Sequence, residues 1–137
     1  MENKRIIFTD IDGVLNVNYK KKWKKSCIEL YNKITEDLNL YPVITSTWRI
    51  PYDIDKLNEI FKTQGINRKI LGTTILLQPS IRGLEILEFI ERNNIKEYCI
   101  IDDKINDIKD YVDNIIHINN YYGITEKDLI KIRKVFN

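Results

Sequence analysis

Acidic and hydroxyl residues stand directly after apolar runs of this sequence, where strands of a sheet would end. They are Asp10 and Asp12 after residues 6–9, Ser46 after residues 42–45, and Asp102 and Asp103 after residues 98–101. Carboxylates crowded at one place repel each other, and their pKa values rise unless a cation lies among them. Mg²⁺ relieves that repulsion, and it is usually held by one or two carboxylates, waters and a substrate phosphate. The pattern therefore predicts phosphoryl transfer at a magnesium site.

Each residue type suggests a separate task in such a site. Asp10 would attack a phosphorus atom and Asp12 would move the proton, while Mg²⁺, a hydroxyl and a cationic side chain neutralise the phosphoryl oxygens. The candidates for the cation are Arg82, at a predicted helix start, and Lys104. Arginine stays charged and can bind two phosphate oxygens at once, which favours Arg82. Lys104 stays open as the alternative.

The elements that must position these residues follow from the hydrophobic pattern. Apolar runs alternate with helical patterns, which predicts βαβ units and a parallel sheet. The expected strands are residues 6–9, 42–45, a segment within 70–77, residues 98–101 and residues 115–118. Ligands of open α/β sheets bind outside the carboxyl ends of the strands, so the four carboxylates should meet at one rim. We expect a doubly wound, Rossmann-like, mainly parallel five-stranded sheet with helices on both faces.

Apolar spacing and capping residues predict five helices. The first helix begins near Ser26, and the second follows Pro51 and ends at Gly65. The third is capped by Ser80, and its predicted inward residues are Leu84, Leu87 and Ile90. A short fourth helix has Ile105, Ile108 and Val112 on its apolar face, and the fifth begins at Thr125, with Asp128 three residues later. The intervals between Asp12 and Ser46 and between Arg82 and Asp102 leave no room for a large cap domain. We therefore expect an open site.

Composition bounds the classes of protein that this chain can represent. Its 137 residues, 43% of them hydrophobic, predict one globular domain over residues 1–137. The net charge of +2 removes the strongest reason to expect a dedicated nucleic-acid binder. Uncharged stretches such as residues 70–81 are too short to span a membrane, and no signal peptide is visible, so we expect a cytoplasmic protein. One histidine, His117, excludes a multi-histidine metal centre.

These motifs match a known family. Residues 10–16 resemble motif I of the haloacid dehalogenase (HAD) superfamily of phosphohydrolases, and residues 43–49 resemble its second motif. The Trp48-Arg49 pair that follows is similar to HAD domains associated with Swiss-army-knife RNA-repair proteins. Residues 82–86, 98–103 and 123–125 look like later landmarks of that group. The resemblance spans about residues 6–125.

The resemblance implies a role for each matching residue. Asp10 would be the nucleophile and first Mg²⁺ ligand, and Asp12 the general acid/base, with its backbone carbonyl also on the metal. Ser46 would bind the transferring phosphoryl group, and Asp103 would complete the metal site. Arg82 would replace the lysine of the family's third motif.

Two further aspartates belong to the same comparison. Asp102 stands where the family has glycine, which leaves open whether Asp102 also contacts the metal. Asp107 would support the metal site from outside it. A turn or cap role is the plainer alternative for Asp102, Asp103 and Ser46.

The implied activity is that of a Mg²⁺-dependent phosphatase acting through an aspartyl-phosphate. An open site favours phosphates on large substrates such as nucleic-acid ends. The lysine segment (residues 20–25) directly follows motif I and could contact a polyanion, with Trp23 stacking on a base. A solvated loop is the plainer reading of that segment. We expect a monomer or a weak dimer and no membrane association.

Two other classes of protein compete with this interpretation. A receiver-type signalling module also places acids on a doubly wound sheet, but it needs an acceptor aspartate after the third strand and a lysine after the fifth. Here those positions hold Leu76-Leu77-Gln78 and Asn119-Asn120, which argues against a receiver. A non-catalytic phosphate-binding subunit of a repair complex is the other alternative, and an activity assay separates it from an enzyme.

Overall fold

The computed structural model describes residues 1, 3–17 and 20–137. Its elements are β1 (Arg5–Thr9), α1 (Lys25–Leu38), β2 (Leu40–Ile44), a 3₁₀ turn (Thr47–Arg49), α2 (Ile54–Gln64), β3 (Gly72–Thr73), α3 (Arg82–Asn93), β4 (Glu97–Asp102), β5 (Ile115–His117) and α4 (Glu126–Val135). All five predicted strands are present, with ends shifted by one or two residues and the third reduced to two residues.

The five strands form one sheet in the order β3-β2-β1-β4-β5, and every neighbouring pair is parallel. The predicted α/β class is confirmed, and the sheet is parallel throughout rather than mainly so. Thr9, the last residue of the central strand, lies opposite Ile44 of β2 and Ile101 of β4. The chain therefore leaves these three strands at nearly the same level, which brings the residues that follow them to one rim.

Helices cover both faces of the sheet, as predicted. Successive residues of a strand point to opposite faces, so Ile7 packs into one buried cluster while Ile6 and Phe8 pack into another. The first cluster receives the apolar faces of α1, α2 and α4, and the second receives Ile86 and Phe89 of α3. Each face of β1 is thus fully covered, which holds the residues after it in a rigid frame.

Local signals place several helix ends correctly. Gly65 closes α2 in the left-handed conformation, at φ +97°. Thr125 and Asp128 form the predicted capping box at the start of α4, with the Thr125 amide donating to the Asp128 carboxylate at 2.8 Å.

The predicted N-cap of α3 is wrong, and its predicted inward face is correct only in part. Ile81 rather than Ser80 occupies the N-cap position, and the Ser80 hydroxyl instead donates to the Glu85 carboxylate at 2.9 Å. The fully buried apolar positions are Ile86 and Phe89. Leu87 and Ile90 are partly buried and pack against the same cluster, as predicted, whereas Leu84 lies at its edge. The helix is rotated because Glu85 must also face inward to meet a buried arginine.

The predicted short helix through Ile105, Ile108 and Val112 is also wrong, because this segment forms consecutive turns. The Asp107 carbonyl accepts a bond from the Gly83 amide, whereas a continuing helix would use it for Tyr111. Tyr111 bonds to the Ile108 carbonyl instead. The turns still bury Ile108 and Val112 against α3.

The described residues form no cap domain, in agreement with the expectation from the loop lengths. Among these residues, no helix has the length and apolar character needed to cross a bilayer. The rim at the carboxyl ends of the strands is therefore uncovered by any additional domain in the described part of the chain.

Candidate active site

Three carboxylates meet where β1 and β4 end. Ligand oxygens of Asp10, Asp102 and Asp103 all lie within 4.8 Å of one another. Asp10 and Asp102 are buried, and Asp103 is partly exposed. The Asp10 amide donates to the Ile101 carbonyl at 3.2 Å, so the first residue after β1 is tied to β4. Of the four carboxylates predicted to meet at this rim, Asp10, Asp102 and Asp103 form one group, and Asp12 does not belong to it.

Arg82 brings one positive charge to this acidic cluster. Its Nη1 lies 2.7 Å from Asp102 Oδ2 and 3.4 Å from Asp10 Oδ1. Arg82 is the first residue of α3, and its amide donates to the Asp107 carboxylate at 3.1 Å, which anchors the helix start. Burial disfavours the guanidinium cation, but Asp102 and Asp10 outweigh that effect and raise the pKa of Arg82. A permanent cation therefore stands beside the predicted nucleophile.

The two buried carboxyl groups of the cluster, Asp10 and Asp102, have raised pKa values. Burial, reinforced by the charge of Asp102, raises the pKa of Asp10 to about 8. Burial also raises the pKa of Asp102, although Arg82 opposes the shift. Ionising all three carboxylates, two of them on buried side chains, beside the Arg82 guanidinium would leave an excess of two negative charges.

A divalent cation fits this donor set. All the ligand atoms are carboxylate oxygens, which Mg²⁺ prefers, and its two positive charges match the excess negative charge. Gly13 makes room for Asp103, because a Cβ on Gly13 would lie 2.7 Å from the Asp103 carboxyl carbon. Gly13 also has φ +83°, a conformation that side-chain-bearing residues rarely adopt. The close approach of the two loops thus depends on glycine.

Asp12 lies apart from the three-carboxylate cluster. Its Oδ2 accepts a hydrogen bond from Trp48 Nε1 at 2.9 Å, and its Oδ1 lies 3.4 Å from the side-chain Nδ2 of Asn16. The side chain of Asp12 is therefore held by two neutral donors and is not part of the three-carboxylate group. The prediction that the Asp12 carbonyl binds the metal stays a prediction.

Sequence reasoning missed the role of Trp48. A buried or half-buried indole usually finds an acceptor for its N–H, and Trp48 follows β2 closely enough to reach the rim. That signal could have suggested a bond to one of the rim carboxylates. It could not have selected Asp12.

Ser46 is buried where the chain leaves β2, and its hydroxyl accepts from the Trp48 amide at 3.2 Å. This bond caps the 3₁₀ turn, so the plainer cap role is present. The hydroxyl hydrogen is not used in that bond and stays available to donate. Phosphate binding by Ser46 stays a prediction.

Arg49 is a structural residue of the rim. It forms a 2.9 Å ion pair with Glu85, and the two side chains are only 5% and 1% exposed. Its guanidinium also donates to the carbonyls of Thr45 and Thr74, at the ends of β2 and β3. The pair therefore ties two strand ends to α3, the helix that presents Arg82.

The other candidates occupy defined positions. Lys104 is exposed, and its backbone amide, rather than its ammonium group, contacts Asp102 at 2.9 Å. Arg82 is thus the cation that the described contacts bring to the cluster. His117 is an exposed strand residue, as expected, and its Nε2 lies 3.0 Å from the Asp103 carbonyl oxygen.

The expectation that Trp23 stacks on a base is wrong. Trp23 is 5% exposed and packs edge to face against Trp48 and Phe61. Burying the indole in the core between α2 and the rim stabilises the fold more than leaving it in solvent would. The neighbouring lysines of residues 20–25 remain exposed.

Comparisons with known proteins agree with this architecture. The curated proteins compared with this chain include no match. Among solved structures, a haloacid dehalogenase-like hydrolase family protein from Streptococcus pneumoniae is similar, with a TM-score of 0.50 and 15% sequence identity. The similarity covers 82% of this chain and 53% of that protein, so the chain spans about half its length and the likeness concerns the fold alone. The family described as the HAD domain in Swiss Army Knife RNA repair proteins matches residues 6–129, and the chain belongs to that family.

Proposed function

We propose that this HAD domain is a Mg²⁺-dependent phosphohydrolase that removes a terminal phosphate from nucleic acid. The observation that carries the proposal is the meeting of Asp10, Asp102 and Asp103 beside Arg82 at the end of the central strand. Membership of a family found in RNA repair proteins supports nucleic-acid ends as the substrate class. The uncovered rim supports a large substrate.

Asp10 is the proposed nucleophile. Its carboxylate oxygen forms a bond to phosphorus while the ester P–O bond breaks, which leaves an aspartyl-phosphate on the enzyme. The 3.4 Å distance between Arg82 Nη1 and Asp10 Oδ1 supports a role for this arginine in attracting a phosphoryl oxygen next to the attacking atom. Ser46 donates a second hydrogen bond to the same group. Together these donors hold charge that develops in the transition state.

Asp12 is the proposed general acid and base. It gives its proton to the leaving oxygen in the first step, and it takes a proton from the attacking water in the second. That water breaks the aspartyl-phosphate, releases inorganic phosphate and restores Asp10. The bonds from Trp48 and Asn16 orient Asp12 for both steps without adding charge.

Asp10 and Asp103 are the proposed side-chain ligands of the metal, and the Asp12 carbonyl is the proposed backbone ligand. When bound, Mg²⁺ supplies positive charge that offsets the clustered carboxylates and the phosphoryl oxygens. Asp102 is bonded to Arg82 at 2.7 Å, which supports a role in holding the arginine. Asp103 has no such cation at its carboxylate among the described contacts, which supports its role as a ligand.

The receiver-type alternative does not fit the sheet. Receivers have the strand order 2-1-3-4-5, whereas here the order is 3-2-1-4-5 and β3 is an edge strand of two residues. The carboxylate Asp10 instead follows the central strand. A non-catalytic phosphate-binding module remains the competing class, and only turnover separates the two.

The test is phosphate release with Mg²⁺ from a panel containing a small aryl phosphate and oligonucleotides with 3′ or 5′ phosphates. We expect turnover of at least one member, lost in Asp10→Asn. Mass spectrometry after an acid quench should find the added phosphate on the peptide containing Asp10. Phosphate binding without release from any member would favour the non-catalytic module. Equal rates for wild type and Asp10→Asn would refute the covalent mechanism.

A further inference from the structure

A groove of about 470 Å³ lies beside the loop that follows β5 (residues 119–122). The described residues that line it are Val17, Lys20, Lys22, Lys24, Tyr121 and Tyr122, and we call it the tyrosine–lysine groove. Its described polar lining consists of three lysines and two tyrosines and includes no carboxylate. The groove is therefore positively charged, whereas the acidic cluster is negatively charged.

The two tyrosines are held in solvent rather than in the core. Tyr121 is 72% exposed and Tyr122 is 53% exposed. Their rings contact each other edge to face, with centroids 5.0 Å apart. Adjacent exposed aromatic rings leave apolar surface in water, and contiguous apolar surface of this kind often marks a binding site. Exposed aromatic rings of this kind can stack with the flat rings of a ligand.

The lysines project from a backbone that is already fixed. Gln64 accepts a hydrogen bond from the Trp23 amide and donates one to the Lys21 carbonyl, both at 2.9 Å. The buried Trp23 side chain anchors the same segment. The Lys24 ammonium group donates to the Tyr122 carbonyl at 3.2 Å and joins the two sides of the groove. Such preorganisation lowers the ordering cost of binding a polyanion.

The groove is next to the candidate active site. Asn119 and Asn120, which precede the tyrosines, line a second cavity of about 410 Å³ together with Asp103 and His117. Residues 119–122 therefore border both the tyrosine–lysine groove and a cavity that reaches a carboxylate of the acidic cluster. The Ile124 amide bonds to the Val14 carbonyl at 3.0 Å, which holds this loop against the loop after β1.

We propose that the tyrosine–lysine groove binds the single-stranded part of a nucleic acid next to its terminal phosphate. Bases stack on Tyr121 and Tyr122, and Lys20 and Lys22 contact backbone phosphates. Aromatic platforms combined with a basic track are the physical requirements for binding a single strand without sequence preference. The proposal rests on the proposed function, because it takes the terminal phosphate to lie at Asp10.

Binding is measured by fluorescence anisotropy with a terminally phosphorylated 12-nucleotide RNA, labelled at its other end. The buffer contains EDTA, so that no turnover occurs. Loss of stacking on one base weakens binding about 5- to 150-fold, and we expect at least the lower value for Tyr121→Ala/Tyr122→Ala. Tyr121→Phe/Tyr122→Phe should bind like wild type, because the rings are kept. Tyr111→Ala, which removes another exposed tyrosine, is the matched control and should also bind like wild type.

The lysines are tested by the salt dependence of the same binding. Each phosphate contact on a single strand contributes a slope of about −0.7 in a plot of log K against log salt concentration. Lys20→Gln/Lys22→Gln should therefore flatten the slope by about 1.4. Lys127→Gln/Lys131→Gln removes the same charge from exposed lysines of α4 and should leave the slope unchanged. Circular dichroism confirms that each variant is folded.

Unchanged binding by folded Tyr121→Ala/Tyr122→Ala would overturn the proposal, as would equal slopes for the two lysine pairs. If polyglutamate or a duplex of the same length competed as effectively as the unlabelled single strand, the groove would be a basic surface with no preference for a single strand. Turnover of an aryl phosphate by the wild-type protein tests the proposed function with no strand present. The groove and the catalytic proposal can therefore fail separately.

Discussion

Trp48 and Asp12, 36 residues apart in the chain, are joined by a 2.9 Å hydrogen bond from the indole Nε1 to Oδ2 of the carboxylate. The bond connects the end of β2 to the loop after β1. Trp48 is itself held by an edge-to-face contact with the buried Trp23 ring, 5.6 Å between centroids. The orientation of the proposed acid and base is thus set by packing that reaches into the core.

Replacing Trp48 by Phe keeps most of the packing and removes the indole donor. We expect Trp48→Phe to lower kcat about tenfold on an alkyl phosphate, which is less than the 10²–10⁴-fold that general acid–base catalysis typically supplies. The loss should be smaller on an aryl phosphate, whose leaving group needs little protonation. Tyr52→Phe, at a neighbouring ring, is the control. Equal losses on the two substrates would show that Trp48 acts on stability or binding rather than on Asp12.

Asp10 and Asp12 should be separable by substitution. Asp10→Asn should abolish turnover, because an amide is a very poor nucleophile toward phosphorus. Asp12→Asn should lose about 10²–10⁴-fold on an alkyl phosphate and less on an aryl phosphate. Steady-state kinetics on both substrates provides the measurement. An Asp12→Asn enzyme with wild-type rates would place the acid and base elsewhere.

Gly13→Ala should damage metal binding, because the added Cβ clashes with the Asp103 carboxylate and must displace it. We expect at least a tenfold increase in the Mg²⁺ concentration for half-maximal activity, with a similar change in Asp103→Asn. Isothermal titration with Mg²⁺ measures the same loss without substrate. Gly72→Ala is a matched control, since its Cβ would meet only the Phe89 ring at 3.5 Å. Unaltered Mg²⁺ affinity in both site variants would exclude Asp103 as a ligand.

The raised pKa of Asp10 predicts how stability depends on pH. The folded metal-free protein keeps the Asp10 proton to about pH 8, whereas the unfolded chain releases it near 3.8. The folded state binds the extra proton, so stability falls as the pH rises between these values. Asp10→Asn cannot ionise and should have the higher Tm at pH 8 in EDTA, with a smaller difference at pH 5. Each kcal/mol corresponds to roughly 3–5 °C in a domain of this size.

Added Mg²⁺ should reduce the advantage of Asp10→Asn, because the wild-type carboxylate gains a cation partner and the amide does not. Differential scanning calorimetry at both pH values, with and without Mg²⁺, gives all four comparisons. A wild-type Tm above that of the variant at pH 8 in EDTA would contradict the prediction that an ionised Asp10 destabilises the metal-free fold.

The Arg49–Glu85 pair should matter for stability far more than an exposed pair. Arg49→Met leaves a carboxylate that is 1% exposed without its cation, which typically costs about 3–5 kcal/mol. Arg92→Met breaks an exposed pair with Glu88 and should cost about 0–1 kcal/mol. Urea unfolding measures both. Similar costs for the two variants would mean that water reaches Glu85 readily in solution.

The sequence alone was sufficient to predict the strands and the positions of the acids. Buried parallel strands appear as short apolar runs, and the residues that follow them must lie at one rim, whatever the details of packing. The sequence therefore predicts Asp10, Asp103 and Ser46 at the edge of the sheet where the structure has them. The capping box of Thr125 and the Gly65 cap were also local signals, because each involves neighbours within one helical turn.

Only the tertiary structure decided which partner each side chain meets. Trp23 had a plausible exposed role in binding a base, yet it fills the core, and Arg49 pairs with Glu85 in the interior. Glu85 also points inward from α3, so the buried face of this helix is centred on Ile86 and Phe89, which apolar periodicity alone did not select. Asp102 was predicted at the rim with its role left open, and its nearest cationic partner in the structure is Arg82. Such pairings depend on the close approach of segments distant in sequence, and their energies come from burial, which local patterns do not contain.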